Sequence, residues 1–454
     1  MNGLTYALAK FAQRPPFARM PEDAARIIRG GFIDTIATMI AGRDEPVVRI
    51  VCEHVRARGS SSYDSSVLLG QERACSEDAA LINGTAGHAL DYDDVALGGH
   101  PSTVLVPALL AEGEAIGASG TDLIRAYLVG YEIWAELINR DPDPHHLKGW
   151  HPTAVFGTVA AAGAIANLRA LDFNVCRNAI SLSASLAAGL VANFGTMTKP
   201  LHAGRAANFG VEAVHLAARG LTAAPDAIEH HAGFLAAISP KGRADLERPA
   251  ENLGTRLRIL ESGLSVKKYP LCYATHRIID AVIDLANRED LRAEAVASVH
   301  ATIGPAQASM LRNHRPKTGL EAKFSLEFAV ASALTARAVG LNQLTDEFVN
   351  RSPVQETMQK LETSVVDTAC PIEPAFAFSD RVRIRMKNGV ELDSGDIRFA
   401  RGNAQLPLRE EELEAKFFDC VAGSHVDAAR LYERLSALDA LPDVRALVAA
   451  PRPD

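Results

Sequence analysis

The chain has 454 residues, 48% of them hydrophobic, enough to bury a sizeable core and fill two or three domains. Its formal net charge of -8 leaves no basic footprint, so neither nucleic acid nor an anionic membrane surface is an expected partner. Cys52, Cys75, Cys176, Cys272, Cys370 and Cys420 are scattered without a CxxC pair, which argues against zinc ribbons, iron–sulfur ligation and a disulfide framework.

In chain order, the segment Met1 to Lys10 lacks the basic end and long apolar block of a secretory signal, so a cytoplasmic protein is expected. Helical periodicity then dominates: Ala24 to Met39, Asp78 to Leu90, Pro107 to Ile116, Asp122 to Ile138, Pro152 to Ala170 and Val175 to Phe194. The most apolar tract, Ala154 to Ala166, falls short of the roughly 18 residues of a membrane span and reads as a buried helix. Past Leu264 the texture changes. Val296 to Ile303 alternates as a strand, and Arg381 to Met386 with Val390 to Asp393 reads as a hairpin about the Asn388-Gly389 turn. Glu321 to Val339 and Thr345 to Thr363 are expected as helices packed on an antiparallel sheet, and Glu410 to Ala422 and Val426 to Leu435 return to helix. The fold class is therefore mostly α: a large all-α helical domain (1–264 and 402–454) interrupted by a smaller α+β lid domain (265–401).

The richest chemistry lies in Asn83-Gly-Thr-Ala-Gly-His-Ala-Leu-Asp-Tyr-Asp-Asp94 and Gly98-Gly-His-Pro-Ser-Thr103. Three carboxylates and two imidazoles crowd this turn between apolar runs, and polar groups between buried elements need partners. Four further islands supply cations or potential ones: Gly149-Trp-His-Pro-Thr153, Gly195 to Arg205 with Lys199, Val266-Lys-Lys-Tyr-Pro270, and Glu321-Ala-Lys-Phe-Ser325. Together they suit a small, multiply charged carboxylate whose C–H bond must break. A proton beside a carboxylate is weakly acidic, so such chemistry needs a tuned base and preorganised cations where enolate charge develops.

The ordered motifs NGTAGHALDYDD…GHPS, GWHPTAVFG, GTMTKPLHAGRAA, KKYPLC..TH and EAKFSLEF resemble the MmgE/PrpD family, which includes 2-methylcitrate dehydratase, cis-aconitate decarboxylase and iminodisuccinate epimerase. The resemblance implies a helical domain built from both ends of the chain, an α+β lid, a homodimer, and a metal-free pocket needing no cofactor. Carried over by motif, it makes Asp91, His100 and His151 the catalytic candidates and Lys199 and Lys267 the substrate-binding ones, with a 2-methylcitrate dehydratase-like lyase expected first. His100 is expected to exchange the proton, with Asp91 as its orienting partner or a neighbouring acid–base group and His151 as the runner-up. Two departures bear on the activity: dehydratase members have Asn and Thr near the positions of Asp93 and Val95, and the decarboxylase pattern has Tyr near Phe328. Epimerisation, which needs no leaving group, stands beside them.

Three other readings fit parts of the chain. Asp91-Tyr-Asp-Asp94 matches the acid motif of carbocation-forming cyclases, but 6% aromatic content supplies few ring faces for a carbocation. A divalent cation could sit among Asp91, Asp93, Asp94 and His100. A helical interaction scaffold would make the polar islands merely capped helix ends.

Overall fold

The computed structural model describes residues 3–16, 20–373 and 376–448, which form two compact units: residues up to 266 with those from 409 onward, and residues 267–408. The sequence expectation set the corresponding boundaries at 265 and 401.

The first unit is a helical assembly of α1 (Leu4–Gln13), α2 (Glu22–Ala41), α3 (Pro46–Arg58), α4 (Ser76–Ala89), α5 (Ser102–Ile116), α6 (Gly120–Ile138), α7 (Pro152–Leu168), α8 (Phe173–Leu186) and α9 (Thr198–Ala218), with the short α10 (Phe234–Ile238) and α11 (Arg258–Ser262). Its only strands among the described residues are the two-residue β1 (Ser65–Ser66) and β2 (Arg73–Ala74). α7 is buried along its whole length, as its nearly uncharged, Ala/Gly-rich sequence requires. α4 and α9 cross where Gly84 meets Gly204: a Cβ on Gly204 would lie 2.3 Å from the Leu81 carbonyl oxygen, so no larger residue fits. That crossing sets the C-terminal end of α4, where the acidic turn begins, beside the N-terminal part of α9, which carries Lys199.

The second unit carries α12 (His276–Arg288), β3 (Val296–Ile303), α13 (Pro305–Met310), α14 (Gly319–Ala322), α15 (Leu326–Ala336), α16 (Asp346–Val349), α17 (Ser352–Met358), β4 (Leu361–Val365), β5 (Arg381–Met386) and β6 (Glu391–Asp393). The strand order is β4-β3-β5-β6. One core joins Ile278, Ile279 and Val282 of α12, Val330 of α15, and Val299 and Ile384 of the sheet. The first unit is completed by α18 (Glu410–Val421) and α19 (Ala428–Ser436).

Several expectations need correction. α5 begins at Ser102 and carries Pro107 inside it, rather than starting at that proline. α8 stops at Leu186, because Ala187 turns extended and Leu190 then pairs with Trp150, so the helix expected to reach Phe194 is shorter. Ser325 caps α15 by accepting the Phe328 N–H, which splits the helix expected over 321–339. The last turn of the helix expected over 345–363 is instead strand β4. It runs parallel to β3, so the sheet is mixed and not antiparallel. Among the described residues, no helix is long and apolar enough to cross a membrane.

Candidate active site

The acidic turn is a tight double reversal between α4 and α5. Asp91 takes φ +53°, a left-handed conformation that costs a non-glycine residue on the order of 1–3 kcal/mol and is commonest where function demands it. Leu97 (φ +49°) and Gly98 (φ +69°) reverse the chain again, and Ala96 and Gly99 exchange backbone bonds of 3.0 and 2.9 Å. A Cβ on Gly99 would stand 2.9 Å from the Trp134 ring and 3.0 Å from the Thr153 amide nitrogen, so glycine lets the turn press on α6 and α7. The neighbouring His100 N–H donates to Thr153 Oγ1 at 3.2 Å.

The three carboxylates differ by environment. Asp91 Oδ1 receives the Lys199 ammonium at 2.6 Å. Asp93 is fully buried and sits between two imidazoles, with His88 Nδ1 at 2.9 Å and His100 Nδ1 at 3.0 Å. Burial pushes its carboxyl up, but His88 and His100 outweigh that and hold it well below the usual range, so Asp93 is a carboxylate. Asp94 is the opposite case. Burial, with Asp34 and Asp93 adding, raises it well above the ordinary value against the opposing bond to the Ser102 hydroxyl, which in turn meets Tyr127 Oη at 2.6 Å.

The histidines are fixed by these acceptors. His100 Nδ1 faces Asp93 Oδ2 at 3.0 Å and the Asp94 carbonyl at 2.9 Å. Both partners only accept, so Nδ1 carries hydrogen and Nε2 is the nitrogen left for chemistry; it lies 3.9 Å from Asp91 Oδ1. The His88 ring lies 4.4 Å from that of His100 and 6.1 Å from that of His151. Burial lowers His88 to about 4 despite Asp93, and its buried Nε2 has no hydrogen-bond partner among the described residues. Burial, then Lys199 and the neighbouring imidazoles, hold His151 well below its ordinary value. The Phe194 ring stands 4.8 Å from that of His151 and 5.5 Å from Lys199 Nζ.

Of the residues singled out in the sequence, Asp91, His100, His151 and Lys199 therefore come together in the first unit. Lys267 is the first residue of the second unit and is buried; it follows by two positions Ser265, which exchanges backbone bonds of 2.9 and 3.0 Å with Val95 of the acidic turn. Asp93 is the carboxylate that faces His100 Nδ1, while Asp91 Oδ1 is bonded to Lys199 and lies beside His100 Nε2. Sequence reasoning also missed His202, whose Nδ1 lies 3.2 Å from His151 Nδ1, and the buried Asp34 and Lys416 beneath the turn. Lys416 Nζ reaches Asp34 at 2.5 Å and the Tyr92 carbonyl at 2.9 Å. Only the histidine carried a signal, three residues after Lys199 and so on the same helix face.

Donor atoms of His88, Asp91, Asp93 and His100 lie within 4.8 Å of one another, a set that could converge on a divalent cation. An ion there would compete with the Lys199 ammonium for Asp91 and with two imidazole N–H donors for Asp93.

Comparison with known proteins adds independent findings. The MmgE/PrpD N-terminal domain matches residues 6–247 and the MmgE/PrpD C-terminal domain matches residues 269–439. The cis-aconitate decarboxylase of Homo sapiens is 28% identical over 402 residues, covering 85% of this chain and 81% of that protein. The Mus musculus cis-aconitate decarboxylase is 27% identical, covering 85% and 80%. That of Aspergillus terreus is 25% identical, covering 82% and 80%.

Proposed function

The chain belongs to the MmgE/PrpD family, and from that membership we propose that it is a metal-independent lyase that moves a proton at carbon on a small di- or tricarboxylate. The observation that carries the reading is the pairing of His100 Nδ1 with two acceptors, the Asp93 carboxylate and the Asp94 carbonyl. With Nδ1 bound by acceptors alone, Nε2 is the atom able to give or take a proton, and Asp93 stabilises the imidazolium that forms when it takes one. Lys199 provides the charge that meets a substrate carboxylate, exchanging its bond to Asp91 for one to the ligand. Lys267 is the proposed second cation, and Asp91 and His151 are the neighbouring acid–base groups.

The relatives' names favour a carboxy-lyase acting on a cis-aconitate-like acid. Loss of CO2 leaves an electron pair on carbon that the remaining carboxylates delocalise. A cation at those carboxylates lowers the barrier, and an N–H donor then completes the C–H bond. A hydro-lyase acting on a 2-methylcitrate-like acid is the second reading. It stands beside the first because the chain departs from both patterns: Phe328, buried in the core of the second unit, lies near the decarboxylase pattern's tyrosine, and Asp93 and Val95 lie near the dehydratase pattern's Asn and Thr. In the hydro-lyase reading the same Nε2 removes the proton as hydroxide departs. Epimerisation of an iminodisuccinate-like acid would need only removal and return. Incubation with cis-aconitate, 2-methylcitrate, citrate and iminodisuccinate in deuterated water, read by NMR, separates the three. Decarboxylation releases CO2 and leaves one deuteron, dehydration gives an alkene, and epimerisation labels the stereocentre without loss of mass. No turnover or exchange with any of them would sink the proposal. The family resemblance also carries the proposal of a homodimer, which sedimentation tests.

A further inference from the structure

His202 makes the one hydrogen bond of the His151 ring nitrogens among the described residues. It stands on α9 three residues after Lys199, which puts the two on one helix face, and its Nδ1 meets His151 Nδ1 at 3.2 Å. His151 itself is held by its backbone, its N–H donating to the Gly189 carbonyl at 3.0 Å at the start of α7. Gly189 also lies close to the His202 ring: a Cβ there would stand 2.5 Å from Ala154 Cβ and 3.3 Å from His202 Cγ.

Two facing Nδ1 atoms can share only one hydrogen. If both carried one they would repel, and if neither did, two lone pairs would face each other in a buried place. We propose that His202 is a positioning residue that locks His151 into a single neutral tautomer, and so decides whether His151 offers Nε2 to the site as a donor or as a lone pair. When His202 Nδ1 donates, His151 Nε2 carries hydrogen; when His151 Nδ1 donates, its Nε2 is a base. Burial and the Lys199 charge lower both rings below their ordinary value, which keeps the pair neutral and preserves the single shared proton. The kinetic part of this inference rests on the proposed lyase reading; the spectroscopic part does not.

The test uses the full chain with 15N-labelled histidine. Long-range 15N–1H spectra of the wild type should show His151 as one neutral tautomer, with a coupling across the hydrogen bond to His202. In H202A the coupling should vanish and the His151 nitrogens should move toward the averaged values of a mixed population. H202N, whose side-chain amide can replace either partner, should restore one tautomer. On the acid that the wild type turns over, H202A should lose about tenfold to a hundredfold in kcat with KM within about twofold, and H202N should recover most of it. The inference is overturned if the His151 nitrogens are unchanged in H202A, or if His151 is already averaged in the wild type. It is equally overturned if H202A keeps wild-type kcat. A wild type inactive on every acid but with the His151 coupling intact would count against the lyase reading and leave the tautomer lock standing.

Discussion

Asp93→Asn is the perturbation with the most to say about the site. Asp93 is fully buried and accepts from both His88 Nδ1 and His100 Nδ1. Asparagine keeps the shape but offers one accepting oxygen and one NH2 group, so one of the two imidazoles must meet a donor and turn over its tautomer. A hydrogen bond to a charged group contributes about 1.5–3 kcal/mol against about 1 for a neutral one; losing the charge at two bonds, one of them reversed, removes about 2–4 kcal/mol. Expressed in the transition state, that is roughly a thirtyfold to thousandfold loss in kcat. The expected pattern is a fall in kcat with KM nearly constant, since Asp93 is fully buried behind the two imidazoles. Steady-state kinetics on the acid identified by NMR, with circular dichroism to confirm the fold, makes the measurement. A variant within threefold of wild-type kcat would refute the assignment of Asp93 as the orienting carboxylate. So would one whose loss lies entirely in KM.

Lys199→Met and Lys267→Met should each raise KM or abolish turnover, by about tenfold to a hundredfold in kcat/KM, with the fold retained; near-normal kinetics in either removes that residue from substrate binding. His215 bridges Glu77 at 2.6 Å and Glu112 at 3.2 Å; burial opposes its charge, but the two carboxylates raise it to about 9. Its folded value lies above its unfolded one, so its contribution, at most about 3 kcal/mol, is complete below about pH 6.5 and is lost as pH rises through about 9. Thermal melts should thus show His215→Gln less stable than wild type at pH 6 and the gap closing by pH 10; a gap that widens with pH would contradict the sign. Dialysis against EDTA should leave turnover unchanged, and a loss restored by Zn2+ would move His88, Asp91, Asp93 and His100 into the role of metal ligands.

Periodicity carried most of the helical unit because its helices are long and packed on several sides. It failed where a local cap or a tertiary pairing overrode the pattern. Ser325 could not be told from a helix-interior serine until its side chain was seen on the Phe328 N–H. The segment at Leu361 became a strand only because β3 lay beside it, a partner far away in sequence. The site was legible as a set of motifs and not as a network. Asp91, Asp93 and Asp94 are near neighbours in the chain, and only the left-handed turn at Asp91 sends the first to Lys199 and leaves the second to the imidazoles. Asp34 and Lys416 sit in ordinary amphipathic helices at opposite ends of the chain, so nothing in either segment announces that they meet under Tyr92.

The central claim is that His100 Nε2 exchanges a proton with substrate carbon, and solvent-deuterium labelling in His100→Gln tests it most directly. Wild-type enzyme should place deuterium from solvent at a single carbon of the acid it turns over. His100→Gln, folded and still binding the acid, should lose that labelling by about a hundredfold or more. Wild-type labelling in His100→Gln, with loss instead in His151→Gln, would contradict the assignment and transfer the proton to the other imidazole.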